Sequence, residues 1–256
     1  MSEATDEQGH RSMSSRQVAV MPEFLPLPPV GRRFTGGQPV RLGDTDPLGR
    51  LRPDAVARYL HDVANDDWDD TDVDTGDMWV LRRTAMRLGP GGRWPTLGEH
   101  VAATTWCTGI GAAWAERRTD LSVNGTVLVE TAGLWVPLDG TGRPRRIHPE
   151  FKRIYGESAQ GRKVSGRVDL PDVPTGAIAR PWPLRRVDLD VAGHVNNAAS
   201  WTALVEAAEE QVASAVLTHH GPIEWGDDVT LVTVAGQLWL LANGQVRVSG
   251  RYELMG

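Results

Sequence analysis

The chain has one cysteine, Cys107, in 256 residues, so it can form no internal disulfide. A reducing compartment, the cytoplasm, is its expected home. No apolar run approaches the length of a membrane span, so insertion into a bilayer is not expected. Positive charge is not in excess: the formal net charge is −6, which argues against nucleic acid as the main partner. The N-terminus lacks the basic-then-apolar plan of a secretory signal. No Gly-x-Gly-x-x-Gly, phosphate loop or Gly-x-Ser-x-Gly occurs, so the usual nucleotide-binding and serine-hydrolase signals are missing. Phenylalanine and tyrosine are scarce at 3 each, against 10 tryptophans. Rings that large fill a core or wall an apolar pocket.

What is present is a repeat. Residues 186 to 197 read Arg-Val-Asp-Leu-Asp-Val-Ala-Gly-His-Val-Asn-Asn, and residues 41 to 49 read Arg-Leu-Gly-Asp-Thr-Asp-Pro-Leu-Gly. Asp44, Asp46 and Gly49 match Asp188, Asp190 and Gly193 at one offset (188 − 44 = 190 − 46 = 193 − 49 = 144). The match continues into a helical pattern, with Leu60 against Leu204 and Val63-Ala64 against Ala207-Ala208. Where the second copy has His194, Asn196 and Asn197, the first has Arg50, Arg52 and Pro53. Two copies of one fold are expected, with the chemistry concentrated in the second.

The polar, then Pro-rich residues 1–30 read as a disordered tail. Residues 31–150 form a first domain. Residues 151–180, rich in Gly, Pro and Arg, read as a linker laid over the surface. Residues 181–256 form a second domain. Helical spacing covers Asp54 to Asn65 and about Asn196 to Val216. Asn124-Gly125 and Asn243-Gly244 each sit between strand-like runs and predict type I′ hairpins. A helix followed by antiparallel strands, twice over, implies an α+β fold with a sheet wrapped around a central helix. The seam between the copies is a natural place for a pocket.

Asp190, His194 and Asn196 lie where a strand should give way to a helix. There a carboxylate and an imidazole can activate a water, and backbone N–H groups near Gly193 to Val195 can hold an oxyanion. That combination suits hydrolysis of an activated ester. The plainer reading is a turn with capping Asp and Asn residues and a satisfied histidine. Asp46 occupies the equivalent place in the first copy and is either a second base or a structural cap. The acidic stretch Asp70 to Gly76 fails the calcium-loop pattern, because Leu81 stands where a bidentate Glu is required. No metal and no cofactor are called for. Arg143, Arg145, Arg146, Lys152 and Arg153 make a basic patch in an acidic chain. It serves either solubility or the docking of an acidic carrier or phosphorylated ligand.

These residues resemble the acyl-acyl carrier protein thioesterases, the double hot-dog enzymes of plants and bacteria. The likeness runs from about Phe34 to the C-terminus. Met78-Trp79-Val80-Leu81-Arg82-Arg83-Thr84, Arg93-Trp94-Pro95-Thr96-Leu97-Gly98-Glu99, Leu134-Trp135-Val136 and Arg145-Arg146-Ile147 carry it in the first half. Asp188-Leu189-Asp190 with Gly193-His194-Val195-Asn196-Asn197 is the most specific match. The resemblance implies tandem hot-dog domains with the acyl tunnel mainly in the first and catalysis in the second, through Asp190 and His194. It implies release of a free fatty acid from acyl carrier protein, held through its phosphopantetheine thioester, or from acyl-CoA. A homodimer is left open. Two departures stand out. Ala192 replaces the family's common Asn. The alignment also puts Pro222 or Ile223 at the place of the family's further Cys or Glu, with Glu224, His219 and His220 nearby. They motivate an alternative: an acyl-thioester or acyl-carrier binding protein with weak or no catalysis. An enoyl-thioester hydratase is a weaker third reading.

Overall fold

A computed structural model describes residues 20–256. The repeat becomes two copies of one topology. The first contains β1 (Arg33–Pro39), α1 (Pro53–Asp69), β2 (Met78–Leu88), β3 (His100–Ile110), β4 (Ala115–Val123) and β5 (Thr126–Leu138). A short α2 (Pro149–Tyr155) follows. The second copy contains β6 (Ile178–Pro181), α3 (Asn197–Ala208), β7 (Val212–His219), β8 (Val229–Val234), β9 (Gln237–Ala242) and β10 (Gln245–Leu254). The two long helices begin 144 residues apart (197 − 53), the offset of the motif itself.

The ten strands of the described residues form one antiparallel sheet in the order β1-β3-β4-β5-β2-β7-β10-β9-β8-β6. Outward from the central β2–β7 pair, each half repeats the same order. The joint pairs Arg83–Arg87 with Ser214–Thr218. The helices pack on each other and on the sheet, so each copy covers the apolar face the other leaves bare. This is the tandem hot-dog arrangement that the resemblance implied.

Local chemistry explains most elements. Pro53 opens α1 at a position where its missing N–H costs nothing, and Ala55, Val56, Tyr59, Leu60 and Val63 are buried at helical spacing. The helix runs a turn past the expected Asn65, because buried Asp67 is anchored there by Arg32 and Arg117. Both hairpin turns have the two positive φ angles of type I′: 50° and 78° at Asn124 and Gly125, and the same pair at Asn243 and Gly244.

Three expectations change. The helix expected to reach Val216 stops at Ala208, with Glu209 left-handed at φ 57°. Residues 212–219 are instead strand β7, held on both edges by β2 and β10; pairing overrides the helical look of Ala-Ser-Ala. The tail expected over 1–30 falls outside the described residues up to 19. From there on the chain lies against the sheet, where the Leu25 carbonyl accepts from Arg118 at 2.7 Å. The expected surface linker begins with α2, whose Phe151 and Tyr155 are buried against Trp79 and Trp68.

Candidate active site

The two Asp turns share one hydrogen-bond pattern. Asp190 Oδ1 accepts the N–H groups of Ala192 and His194 at 2.9 and 3.2 Å. Asp46 Oδ1 accepts those of Leu48 and Arg50, both at 2.9 Å. Gly193 and Gly49 sit at φ +78° and +76°, a region that glycine enters without strain.

The second carboxylate oxygen separates the turns. Arg50 Nε donates to Asp46 Oδ2 at 2.7 Å, and Arg50 also reaches Gln211 at 2.9 Å. Partial burial pushes the Asp46 carboxyl up, but the Arg50 N–H and guanidinium outweigh it and hold it below the usual range. Asp46 is therefore committed to an ion pair. In the second copy His194 replaces this arginine, and Asp190 Oδ2 accepts no hydrogen bond from the described residues.

The oxyanion donors expected at Gly193 to Val195 are already used. Gly193 donates to the Asp190 carbonyl at 3.0 Å and Val195 to the Ile223 carbonyl at 2.8 Å, while His194 serves Asp190 Oδ1. A tight turn consumes its own N–H groups. Asn196 caps α3, its side chain accepting from Ala198 at 2.8 Å. Among the described residues, the N–H of Asn197, the first residue of α3, is drawn into no such bond. Its side chain donates to the Leu81 carbonyl at 3.1 Å. The first copy has Pro53 here and so has no N–H to offer.

Leu81 opens a β-bulge. Leu81 pairs with Trp135 and Arg83 with Leu134, which leaves Arg82 out of the ladder; bulges re-aim side chains beside sites. Arg82 makes no ion pair among the described residues, and partial burial lowers its pKa. Around it lies a set of imidazoles, His219 buried and His61 and His220 half-buried. Burial pushes His61 down to about 4 against the opposing pull of the Asp190 carboxylate. Burial, helped by the charges of His61, Arg82 and His220, pushes His219 to about 3. Burial and Arg82 bring His220 to about 4; it also bonds Ser249 Oγ at 2.8 Å. The Nε2 atoms of His61 and His219 are buried without a partner. His61 carries no signal in the sequence beyond its place on α1, and Arg82 and Asn197 stand in the motifs without a role that the sequence alone assigns.

Glu224 forms a backbone bridge with His194, so the fold puts it, rather than Pro222 or buried Ile223, beside the histidine. Its side chain is exposed. The basic patch lies on the connector and α2. Arg145 is paired with Asp77 at 2.9 Å and Arg153 with Glu150 at 2.7 Å, while Arg143, Arg146 and Lys152 are exposed. Beside α1 is a cavity of 390 Å³ bordered by Trp68, Trp79, Trp135 and Phe151. Trp135 also meets the His61 ring edge-on at 5.8 Å, so it is the wall shared by the cavity and the imidazole cluster. Cys107 borders the cavity too; burial pushes its thiol up to about 11, which leaves it an inert neutral group.

The family model described as the acyl-ACP thioesterase N-terminal domain matches residues 31–155, and that of the C-terminal domain matches residues 175–249. The chain belongs to the acyl-ACP thioesterase family. Two uncharacterized proteins, from two strains of Mycobacterium tuberculosis, are each 26% identical over 212 residues, covering 80% of this chain and 83% of theirs. Among solved structures, a 12:0-ACP thioesterase from Umbellularia californica is similar with a TM-score of 0.71 at 20% identity, over 86% of this chain and 96% of that one. An acyl-ACP thioesterase from Bacteroides thetaiotaomicron has a TM-score of 0.70 at 15% identity, over 86% and 96%. At those identities the likeness establishes the fold.

The neutral imidazoles give this family member a predicted acid sensitivity. The unfolded chain binds these protons near pH ~6.5, whereas folded His61 and His219 bind them only near 4 and 3. In that window unfolding takes up protons, so stability is lost as pH falls. A drop from pH ~7 to ~4.5 should cost on the order of 2 kcal/mol per ring. Thermal melts across this range check it; a flat Tm for wild type would contradict the burial of both rings.

Proposed function

We propose that this thioesterase-family chain hydrolyses an acyl-ACP, or the corresponding acyl-CoA, to a free acid and a thiol at the Asp190 turn. The observation that supports this most is the contrast between the turns: Asp190 Oδ2 is unpartnered, whereas Asp46 Oδ2 is held by Arg50. Asp190 orients a water and takes its proton as the oxygen attacks the thioester carbonyl carbon. The carbonyl oxygen becomes an oxyanion beside the Asn197 N–H at the positive end of α3. The C–S bond then breaks, and the departing thiolate takes the proton back, through His194 or Asp190. Asn196 holds the turn as a cap, and Gly193 and Val195 shape it. Asp46 is structural in this scheme, and Glu224 steadies the His194 strand.

His61, whose ring meets the Trp135 edge of the cavity wall, enters as a neutral imidazole. With Ala192 at the family's Asn position, a neutral ring that still has a free nitrogen is a ready replacement donor or acceptor. His61→Phe, which keeps the edge-on contact with Trp135, should lower kcat by roughly 10²-fold with little change in Tm. The assay is release of free thiol from octanoyl-CoA and octanoyl-ACP. Turnover by wild type supports hydrolysis. Undiminished turnover by the variant would remove His61 from the scheme. Tight binding without turnover would favour the second reading, a catalytically silent acyl-thioester binder, which Ala192 motivates. The exposed Arg143, Arg146 and Lys152 are the proposed contact for an acidic carrier protein, with Arg145 and Arg153 partly tied to Asp77 and Glu150.

A further inference from the structure

The two copies differ at a second pair of matched positions. That difference bears on the thiol half of the substrate, provided the thioesterase reading of Asp190 holds. Arg186 stands 144 residues after Leu42 (186 − 42), the offset of the two Asp turns. The loop facing each turn is repeated as well. Arg50 is bridged to Thr96 in the first copy and His194 to Glu224 in the second. The Thr96 N–H donates to Glu99 Oε2 at 2.7 Å, and the Glu224 N–H to Asp227 Oδ2 at 2.8 Å. Trp225 therefore corresponds to Leu97 (224 − 96 = 225 − 97 = 227 − 99 = 128).

Where the first copy has two exposed leucines, the second has a cation and an indole. The two lie together: the Arg186 guanidinium sits over the Trp225 ring, 4.4 Å from its centroid. Trp225 is the one exposed tryptophan of the ten, at 46%. Arg186 is exposed and has no carboxylate partner among the described residues, whereas its neighbour Arg185 is paired with Asp188 at 2.7 Å. Both groups belong to the candidate site. Arg186 opens the short turn that leads to Asp190, and Trp225 follows the residue bridged to His194. A chain step of ~3.8 Å and a bridge of ~5 Å put the Trp225 backbone within roughly 10 Å of that of His194.

An open ring does not enclose an acyl chain. It suits the part of the substrate that stays in water, on the thiol side. A purine offers a flat, uncharged face to an indole, and the phosphates beside it offer acceptors to a guanidinium. An acidic carrier surface fits less well, because Glu224 and Asp228 nearby in the loop are exposed carboxylates that repel it. We infer that Arg186 and Trp225 form a subsite for the nucleotide end of a coenzyme A thioester, with the purine stacked on the indole and a phosphate paired with Arg186. The first copy, with leucine at both places, has no such subsite.

The test compares kcat/KM for octanoyl-CoA and octanoyl-phosphopantetheine by thiol release. The two esters share the acyl group, the arm and one phosphate, and only the first carries the nucleotide. Wild type should favour octanoyl-CoA by about tenfold or more. Trp225→Leu should lower that ratio by roughly tenfold and Arg186→Leu by about fivefold. Both variants install the first copy's own residue, so Tm should hold. Equal kcat/KM for the two esters in wild type, or an unchanged ratio in Trp225→Leu, would overturn the inference and leave the thioesterase reading standing. If no ester turns over, the thioesterase reading fails, and the subsite is judged by calorimetric titration with coenzyme A itself. Binding that weakens about tenfold in Trp225→Leu supports the subsite; no binding, or equal affinity in wild type and variant, overturns it.

Discussion

Asp190→Asn is expected to lower kcat for thioester hydrolysis by about 10²–10⁴-fold, the usual worth of a positioned general base. Asp46→Asn should leave it within about twofold. Asparagine keeps an Oδ1 acceptor for the N–H groups of Ala192 and His194, so the turn should survive. What is removed is the basic second oxygen. At Asp46 the same change weakens only the pair with Arg50, a partly exposed interaction of about 0–1 kcal/mol. The two variants thus disturb the same local geometry and differ in chemistry alone, so folding effects largely cancel. Equal losses in both, or full activity in Asp190→Asn, would remove Asp190 as the base. Rates should be read from thiol release with octanoyl-CoA, alongside Tm for each variant.

Asp67→Ala should produce the largest loss of stability. The Asp67 side chain is 1% exposed and is held by Arg32 and Arg117; Tyr155 Oη donates to it at 3.0 Å. Removing it leaves the Arg117 guanidinium buried without its counter-charge, which costs about 3–5 kcal/mol. For a chain of this size that is a fall in Tm on the order of 10 °C. Asp70→Ala, which removes only an exposed partner of Arg32, is the control and should change Tm little. Calorimetry of both variants decides the matter; a Tm for Asp67→Ala close to that of wild type would mean that water reaches Arg117.

The architecture was readable because its signals are local. The Asp-x-Asp-x-x-Gly turn closes its hydrogen bonds within a few residues, from Asp190 to His194 and from Asp46 to Arg50. Two copies of the motif therefore announce two copies of the fold. The Asn-Gly hairpins are equally local. The end of α3 is not legible in the sequence, because residues 212–219 become a strand only through partners in β2 and β10. Which N–H groups remain free is hidden for a related reason: Val195 gives its N–H to Ile223, 28 residues on (223 − 195).

By itself, the sequence determined the tandem hot-dog fold, the family, and the turn at Asp190 and His194 as the place to look. The tertiary structure decided which groups there remain available. Asp46 is spent on Arg50, the turn's N–H groups are spent on the turn, and the Asn197 N–H is left. Only folding brings His61 of α1 into the field of Asp190, more than a hundred residues away, and sets Arg82 outside the β2 ladder near His219. The physical reason is range. Turn geometry is governed by neighbours along the chain, whereas burial and orphaned nitrogens depend on groups that meet only across the seam of the sheet.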